Sequence, residues 1–364
     1  MNKITANQSF QENIDFLASS KCWETLKKLN YSLNSNFFDT DELNQQLRKV
    51  ETVMNDFLCD DSWMGHCAKY QLQSGGKRFR VVLALLASKI FNLDTKSSIN
   101  VAVCCEFIHN ASLIHDDLQD RDLIRRGMPT IWSRFGEHTA INLGDYFISG
   151  SFEALVKANA KPKLKCLAIE ELSKTIKQTV KGQSMEILGR SDFYLKMQDY
   201  ESTARAKTGA LLCLPVKLVM LLKGLNKCDP TFLNPLLETG LAYQIQDDLS
   251  DFLGIKDRGL PGRDLKEGKM NVLVMHYINS ATPGEKYLLQ QFLKKRYDTI
   301  SENEILHWIL QIRRKGGIEK SINHLKFVAE KSLKLSKKTD EKLFKIVKFV
   351  ISSTLDRISE KVNN

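Results

Sequence analysis

Two acidic segments of identical spacing occur in this chain, "DDLQD" at residues 116–120 and "DDLSD" at residues 247–251, each after an apolar stretch. On an α-helix Asp116 and Asp120 share one face, with roughly 6 Å between their Cβ atoms. Like charges at this spacing repel each other, and a hard divalent cation reverses that repulsion. Because the ligands are all carboxylates, with no His or Cys among them, the pattern indicates Mg²⁺ rather than zinc. One such segment alone is typical of a solvated acidic helix face, whereas the repetition favours metal binding.

Basic side chains lie near both acidic segments, in types suited to phosphate. Mg²⁺ usually takes one or two protein carboxylates and completes its shell with substrate phosphates, so two such clusters facing each other would clamp a diphosphate. Arginine makes forked contacts to phosphate oxygens, and lysine acts as a point charge. The candidates are Lys77, Arg78 and Arg80 in "SGGKRFR", Arg125 and Arg126, Lys207 with Thr208, and Arg263 and Lys269 in "GRDLKEGK".

The elements that must position these side chains are predicted to be helices. Apolar residues recur with helical spacing through residues 78–91, 101–115, 141–157, 205–223 and 340–359. No stretch gives a series of alternating strands with hairpin signals. Proline and glycine positions leave room for ten or more helices. We therefore predict an all-α protein with an N-terminal extension of unassigned role at residues 1–45 and one domain at residues 46–364.

The composition excludes several classes of protein. The 364 residues carry a net charge of +10, but lysine and arginine are spread among the acidic residues and no nucleic-acid-binding motif occurs. A small polyanionic ligand fits this charge, and we predict no nucleic-acid partner. The eight cysteines show no metal-ligand spacing and are predicted to be reduced core residues.

No segment has the length and apolarity that a membrane span requires. The longest apolar candidate, "LLCLPVKLVMLL", contains Pro215 and Lys217, and the N-terminal residues lack the apolar core of a signal peptide. We therefore predict a cytoplasmic protein without stable membrane insertion.

The ordered motifs resemble those of the trans-isoprenyl diphosphate synthases, the polyprenyl synthetase family, from about residue 60 to the C-terminus. They read "GGKRFR", "IHDDLQDRDLIRRGMPT", "GDYFISGSF", "KGQSMEI", "KTGALL", "YQIQDDLSDFLG", "GRDLKEGK" and "GGIEKSINH". The resemblance implies an all-α isoprenoid synthase bundle around a deep central cavity, usually in a homodimer. It also implies a prenyltransferase that joins isopentenyl diphosphate to an allylic diphosphate with about three Mg²⁺ ions, in a catalytic domain that we predict at residues 46–364.

The resemblance assigns a role to each matching position. Lys77, Arg80, His109 and Arg126 resemble the isopentenyl diphosphate pocket, whereas Arg125, Lys207, Thr208, Gln244 and Lys269 resemble the side that holds the allylic diphosphate. Asp116 and Asp120, with Asp117 nearby, resemble the ligands of two metal ions. Asp247, with Asp248 and Asp251 nearby, resembles the site of the third. Asp116, Asp120, Asp247 and Lys207 are the residues we expect catalysis to need most.

The resemblance also implies the mechanism. Metal ions and basic side chains stabilise the diphosphate as it leaves, and the double bond of isopentenyl diphosphate attacks the allylic cation. The departing diphosphate takes the proton, so no separate base is expected. Water must be excluded because it would quench the cation.

Three positions depart from the family pattern. Val81 stands where proline is common, and Ile131 and Trp132 occupy a segment that commonly carries His. Leu260 falls where relatives carry a phosphate-binding lysine. Lys256, Arg258 or Arg263 could supply the charge from a nearby position, and without such a substitute the allylic diphosphate would be held more weakly.

Two alternative functions are consistent with parts of this pattern. A class I terpene cyclase or an irregular-coupling relative would ionise the prenyl diphosphate with the same metal clamp. A non-catalytic subunit of a heteromeric synthase usually loses its aspartates, whereas both clusters are intact here.

The residues that precede Asp116 predict the product length. One helical turn before the aspartates lie Ala111 and Ser112, both small, where farnesyl-forming relatives typically have a bulky ring. The next candidate floor is Phe107 or Ile108, and a turn rises about 5.4 Å, close to one isoprene unit. We therefore predict geranylgeranyl diphosphate or a longer product.

Overall fold

The computed structural model describes residues 21–33, 38–58, 60–190, 196–225, 231–254 and 261–362. Its first helices are α1 Lys21–Leu33, α2 Thr40–Leu58, α3 Trp63–Gln73, α4 Phe79–Phe91, α5 Thr95–Gln119, α6 Ile131–Phe135, α7 Glu137–Lys157 and α8 Pro162–Gly189. The others are α9 Met197–Ala204, α10 Ala210–Leu222, α11 Asn234–Phe252, α12 Arg263–Lys266, α13 Val272–Ser280, α14 Pro283–Leu293, α15 Glu302–Arg314, α16 Gly317–Thr339 and α17 Glu341–Val362. A π-helical turn spans Arg205–Gly209 and a 3₁₀ turn spans Tyr297–Thr299. The all-α prediction is confirmed.

The described chain divides into two compact units. The first unit contains α2 to α7, α8 up to residue 178, and α10, and it carries the first aspartate cluster. The second unit contains α1, the rest of α8, α9, the π-helical turn and α11 to α17, and it carries the second cluster.

Helix α5 is the central element of the first unit. Its N-cap Asp94 accepts a hydrogen bond from the Ser97 amide at 3.0 Å, and the helix packs against α2, α4, α7 and α10. Helix α7 approaches it closely at Gly144, where an added Cβ would lie 2.0 Å from Nε2 of His115. Because His115 directly precedes Asp116, this packing fixes the helical turn that carries the first aspartates.

The second unit incorporates a helix from the predicted N-terminal extension. Helix α1 packs on α16 and α17, and its Trp23 and Leu26 side chains are buried. The Asn30 side-chain amide donates a hydrogen bond to the Asp356 carboxylate at 2.7 Å. These contacts make α1 part of the packed unit that carries the second aspartate cluster.

A small β-hairpin follows the first aspartate cluster, and the sequence patterns did not predict it. Strands β1 (Ile124–Arg125) and β2 (Met128–Pro129) pair antiparallel. The two turn residues have positive φ, 53° at Arg126 and 77° at Gly127, as a type I′ turn requires. Strands of two residues are too short to show alternation, which is why the periodicity missed them.

Across the residues that the structure describes, no helix is both long enough and apolar enough to cross a bilayer. Five cysteines in those ranges are free: Cys67, Cys104, Cys105 and Cys213 are buried, whereas Cys166 is exposed. The prediction of reduced core cysteines therefore holds for four of these five.

Candidate active-site residues

The first aspartate cluster lies at the C-terminal end of α5 and contains two kinds of carboxylate. Asp116 and Asp120 are partly exposed, whereas Asp117 is buried. Asp117 accepts a hydrogen bond from Nε of Arg125 at 2.6 Å, and Nη2 of Arg125 lies 2.5 Å from the same oxygen. Arg125 is itself buried and also lies 3.6 Å from Asp122. This ion pair fastens the hairpin to α5, so the two partly exposed aspartates are the better candidates for metal ligands.

The glycine pair before α4 forms the candidate isopentenyl diphosphate loop. Gly75 and Gly76 have positive φ, and a Cβ on Gly76 would lie 2.5 Å from the Arg126 guanidinium. Arg126 donates a hydrogen bond to the Gly75 carbonyl. Lys77 is exposed beside this pair, and Arg80 lies in the first turn of α4. The structure thus brings Arg126 to the loop that carries Lys77, and the role of both residues toward isopentenyl diphosphate stays a prediction.

His109 and Arg80 lie on neighbouring helices of the first unit. Helices α4 and α5 pack together, and His109 is partly exposed one turn after Cys105 on α5. Burial raises the pKa of the Cys105 thiol, and the nearby Arg80 guanidinium opposes that shift. Arg80 is buried on α4, and its distance to His109 stays outside these contacts.

Arg78 has a structural role that the sequence did not reveal. It adopts a left-handed conformation with φ of 46°, and its Nη1 lies 3.0 Å from the buried Glu106 carboxylate on α5. Its Nη2 donates to the Leu72 carbonyl at 3.0 Å. Through these two contacts Arg78 fixes the backbone of the loop. It lies in sequence between Lys77 and Arg80, the two cations predicted to bind isopentenyl diphosphate.

The second aspartate cluster, on α11, also contains both partly exposed and buried carboxylates. Asp247 is partly exposed, whereas Asp248 and Asp251 are buried. Asp248 accepts hydrogen bonds from the Tyr200 hydroxyl at 2.7 Å, the Gln244 amide at 2.8 Å and the Val272 amide at 3.0 Å. These three donors hold Asp248 in the interior of the second unit and make Asp247 the better candidate for a metal ligand.

The electrostatics of Asp248 reflect this buried position. Burial, and after it the neighbouring Asp264, raise the pKa of the Asp248 carboxyl to about 7, against the opposing effect of its three hydrogen bonds. Burial and the adjacent Asp248 also raise the pKa of Tyr200 well above its usual value. Tyr200 therefore stays protonated and donates to the carboxylate, a contact that the sequence motifs did not indicate.

Lys207 and Thr208 lie in the π-helical turn, a local irregularity that is frequent at functional sites. The Lys207 ammonium lies 3.2 Å from the Glu186 carboxylate on α8. The Thr208 hydroxyl donates to the Gln244 side-chain carbonyl at 2.8 Å, and the Gln244 amide reaches Asp248. The structure thus brings Thr208 and Gln244 together and connects both to the second aspartate cluster.

Two glycines allow the π-helical turn to pack closely against its neighbours in the second unit. A Cβ on Gly182 would lie 2.8 Å from the Lys207 amide nitrogen, and a Cβ on Gly240 would lie 2.2 Å from the Gly209 Cα. Backbone atoms cannot rotate away as side chains do, so these two positions fix where Lys207 and Thr208 lie.

We expect Gly240→Ala to lower the free energy of unfolding by about 1–3 kcal/mol, because the added methyl group forces α11 and the π-helical turn apart. Gly284→Ala is the matched control, since nothing lies within 4 Å of a Cβ built there. Thermal unfolding of both variants measures the difference. Equal stability of the two variants would contradict the close packing at Gly240.

Lys269 follows the second cluster and is paired within its own segment. Its ammonium lies 2.7 Å from the Glu267 carboxylate and 3.9 Å from Asp264. Leu260, Lys256 and Arg258 lie outside the described residues, so Arg263 is the one candidate substitute whose contacts are seen.

The predicted chain-length residues lie on α5 in the first unit. Ala111 and Ile108 are buried, and Ser112 is partly exposed, with its hydroxyl donating to the His109 carbonyl at 2.8 Å. Phe107 is fully buried against Phe147 of α7, with ring centroids 5.5 Å apart. Phe107 is therefore fixed by aromatic packing one turn before Ala111.

The donor set fits Mg²⁺, although the described residues contain no group of three or more His, Cys, Asp or Glu side chains arranged to hold a metal ion. Each cluster offers partly exposed carboxylate oxygens and no soft ligand. Mg²⁺ binds through one or two carboxylates and takes its remaining ligands from water and phosphate. The donors are therefore of the right chemistry for Mg²⁺ bound together with a diphosphate.

The comparisons with known proteins agree with this chemistry. The family model described as "Polyprenyl synthetase" matches residues 61–309. A short chain isoprenyl diphosphate synthase from Methanocaldococcus jannaschii is 31% identical over 264 residues, which cover 71% of this chain and 79% of that protein. Heptaprenyl diphosphate synthase component 2 from Geobacillus stearothermophilus is 32% identical over 226 residues, which cover 59% of this chain and 67% of that protein.

A solved structure shows the same likeness in three dimensions. The geranylgeranyl pyrophosphate synthetase of the archaeon Geoglobus acetivorans superposes with a TM-score of 0.72 and 25% identity, and the match covers 85% of this chain and 98% of that one. Because the family model spans more than half of the chain and the fold agrees, this chain belongs to the polyprenyl synthetase family.

Proposed function

We propose that this chain is a prenyltransferase that condenses isopentenyl diphosphate with an allylic diphosphate to give a trans-polyprenyl diphosphate. The observation that supports this most is the pair of DDxxD clusters, each of which combines at least one partly exposed aspartate with at least one that is buried and hydrogen-bonded. In the reaction the C–O bond of the allylic diphosphate breaks, a C–C bond forms, and one proton and one diphosphate are released. Geranylgeranyl diphosphate is the proposed lower bound of product length.

Mg²⁺ is the proposed cofactor, with Asp116 and Asp120 as the proposed ligands of two ions and Asp247 as the proposed ligand of a third. When bound, it would neutralise the negative charge that builds on the departing diphosphate. Asp117, Asp248 and Asp251 are buried and hydrogen-bonded or ion-paired, so they hold the surrounding chain in place, and their part in metal binding stays a prediction.

The chain's own residues bind and orient the two diphosphates. Lys77, Arg80 and Arg126, with His109, belong to the first unit and are proposed to bind isopentenyl diphosphate. Lys207, Thr208, Gln244 and Lys269 belong to the second unit and are proposed to bind the allylic diphosphate, whereas Arg125, in the first unit, is committed to Asp117. Any further role of Arg125 toward the ligand stays a prediction.

One incubation tests the proposed reaction. The protein is mixed with Mg²⁺, isopentenyl diphosphate and allylic diphosphates of increasing length, and the products are separated with and without phosphatase treatment. Elongated diphosphates support the proposal. Released hydrocarbon would indicate a cyclase or an irregular-coupling enzyme, and no product would indicate a subunit that needs a partner.

We expect separate effects on the two substrates when the basic residues are changed. Lys77→Ala and Arg80→Ala should raise the KM for isopentenyl diphosphate, and Lys207→Ala should raise mainly the KM for the allylic substrate. Each lost charge-assisted contact should cost about 1.5–3 kcal/mol. Steady-state kinetics with one substrate varied at a time measures this, and identical effects of all three changes on both substrates would refute the pocket assignment.

The remaining predictions concern the context of the chain. A homodimer, a cytoplasmic location and the domain bounds at residues 1–45 and 46–364 stay predictions. Sedimentation of the purified protein measures the oligomeric state.

The activity of a chain that begins at residue 46 tests whether the N-terminal extension is dispensable for catalysis. Because α1 packs on the C-terminal helices, we expect that truncation to lower thermal stability.

A further inference from the structure

The chain segment that contains α12 is fastened at both ends to the buried aspartates of the second cluster. The Asp264 amide donates to the Asp251 carboxylate at 3.0 Å, and the Val272 amide donates to the Asp248 carboxylate at 3.0 Å. Arg263 lies directly before the first of these anchors. Its backbone position is therefore fixed relative to the helix that carries Asp247.

A buried carboxylate joins two cations of this segment. Nε of Arg263 lies 2.7 Å from Oε1 of Glu267, and Nζ of Lys269 lies 2.7 Å from Oε2 of the same side chain. The Glu267 side chain is 4% exposed, against 14% for Arg263 and 18% for Lys269. One carboxylate thus holds a guanidinium and an ammonium side by side, with both cations more accessible than the anion between them.

This arrangement suits an anion with several oxygens. A guanidinium carries N–H donors in a fork geometry that matches phosphate, and an ammonium acts as a point charge. The Asp264 carboxylate also lies 3.9 Å from the Lys269 ammonium, so two cations and two carboxylates lie together in this segment. The two backbone anchors tie the segment that carries these cations to Asp251 and Asp248, on the helix that also carries Asp247.

We propose that Arg263 binds the allylic diphosphate together with Lys269, and that Glu267 is a positioning residue that fixes the two cations. The inference rests on the proposed prenyltransferase function. In this proposal Arg263 supplies the positive charge that relatives carry on a lysine at the position of Leu260.

A simpler reading is that Arg263 and Glu267 form an i,i+4 pair whose role is to stabilise a short helix. Such a pair would change thermal stability and would affect both substrates equally. A ligand contact would change the KM for one substrate, so kinetics with both substrates separates the two readings.

The test compares Arg263→Gln with Lys266→Gln in the full-length protein. Lys266 lies on the same short helix, and its ammonium stacks over the Tyr297 ring 4.3 Å from the centroid, so this control removes one positive charge away from Glu267. We expect Arg263→Gln to raise the KM for the allylic diphosphate roughly ten- to a hundred-fold, with the KM for isopentenyl diphosphate within about twofold of wild type. Arg263→Lys should recover part of the affinity, because lysine keeps the charge and loses the fork.

A second measurement does not depend on turnover. Calorimetric titration with inorganic diphosphate in the presence of Mg²⁺ should show weaker binding to Arg263→Gln and to Glu267→Gln than to Lys266→Gln. An unchanged allylic KM with unchanged diphosphate binding, or equal effects on both substrates, would overturn the proposal in favour of a helix-stabilising pair. If the wild-type protein forms no elongated product, the proposed function fails, and the calorimetry still decides whether Arg263 and Glu267 govern diphosphate binding.

Discussion

Asp116→Asn and Asp247→Asn should each lower kcat/KM by roughly a thousand-fold, which corresponds to about 4 kcal/mol of lost transition-state stabilisation. The amide keeps the shape of the side chain and removes the charge that attracts Mg²⁺. Both aspartates are partly exposed, so we expect the fold to tolerate the change. Steady-state rates at saturating Mg²⁺, with circular dichroism to confirm folding, measure the effect.

Asp248→Asn provides the contrast within the same motif. The Asp248 carboxylate accepts hydrogen bonds from Tyr200, Gln244 and Val272 inside the second unit. Asparagine has a single acceptor oxygen, so at least one buried donor loses a partner, at a cost of about 1–3 kcal/mol. We therefore expect Asp248→Asn to lower the melting temperature, whereas Asp247→Asn leaves it close to wild type.

The metal-clamp prediction has clear ways to fail. Turnover that continues undiminished in excess chelator would exclude a divalent cation from the reaction. An Asp116→Asn or Asp247→Asn enzyme within a few-fold of wild-type rate would show that the partly exposed aspartates are not the ligands.

The sequence identified both aspartate clusters, and it could not distinguish the aspartates within each. Repetition of DDxxD, apolar periodicity and charge chemistry are local properties, and they sufficed to predict the helix of residues 101–115 that leads into the first cluster. The different roles of Asp116 and Asp117 depend on Arg125, which contacts Asp117 after the chain leaves α5 through Arg121, a residue with a side chain and a φ of 58°. No propensity rule would favour that conformation for arginine.

The π-helical turn shows a second limit of sequence reasoning. Residues 205–223 have helical periodicity in the sequence, so one inserted residue in the hydrogen-bond ladder at residues 205–209 leaves little trace in the pattern. The turn can pack closely because Gly182 and Gly240 lie against it, and both come from other segments of the chain. The close packing of the backbone around Lys207 therefore depends on tertiary contacts, which the local sequence does not show. Lys207 itself was predicted as a site residue from its motif.

The side chains near Ala111 on α5 bear on the predicted product length. Ala111 is buried on α5, one turn after Phe107, whose ring packs against Phe147 and lies 6.3 Å from the Phe57 ring in an edge-on contact. Three aromatic rings close together make Phe107 difficult to displace. A prenyl tail that passes Ala111 along this helix would therefore first be stopped at the turn that carries Phe107.

We expect Ala111→Phe to keep activity and to shift the main product from geranylgeranyl diphosphate or longer to farnesyl diphosphate. The new ring would fill the space of about one isoprene unit, since one helical turn rises about 5.4 Å. Overpacking at a buried alanine typically costs about 1–3 kcal/mol, so thermal unfolding must accompany the product analysis. Gas chromatography of the dephosphorylated products measures the chain length directly.

Ser112→Phe is the matched variant, because Ser112 is the neighbouring small residue on the same turn and is partly exposed. If the tail follows the face of Ala111, only Ala111→Phe should shorten the product strongly. If the tail follows the face of Ser112, Ser112→Phe should shorten the product more strongly than Ala111→Phe. A wild-type enzyme that already stops at fifteen carbons, or product distributions that neither variant changes, would show that residues on other helices end the chain.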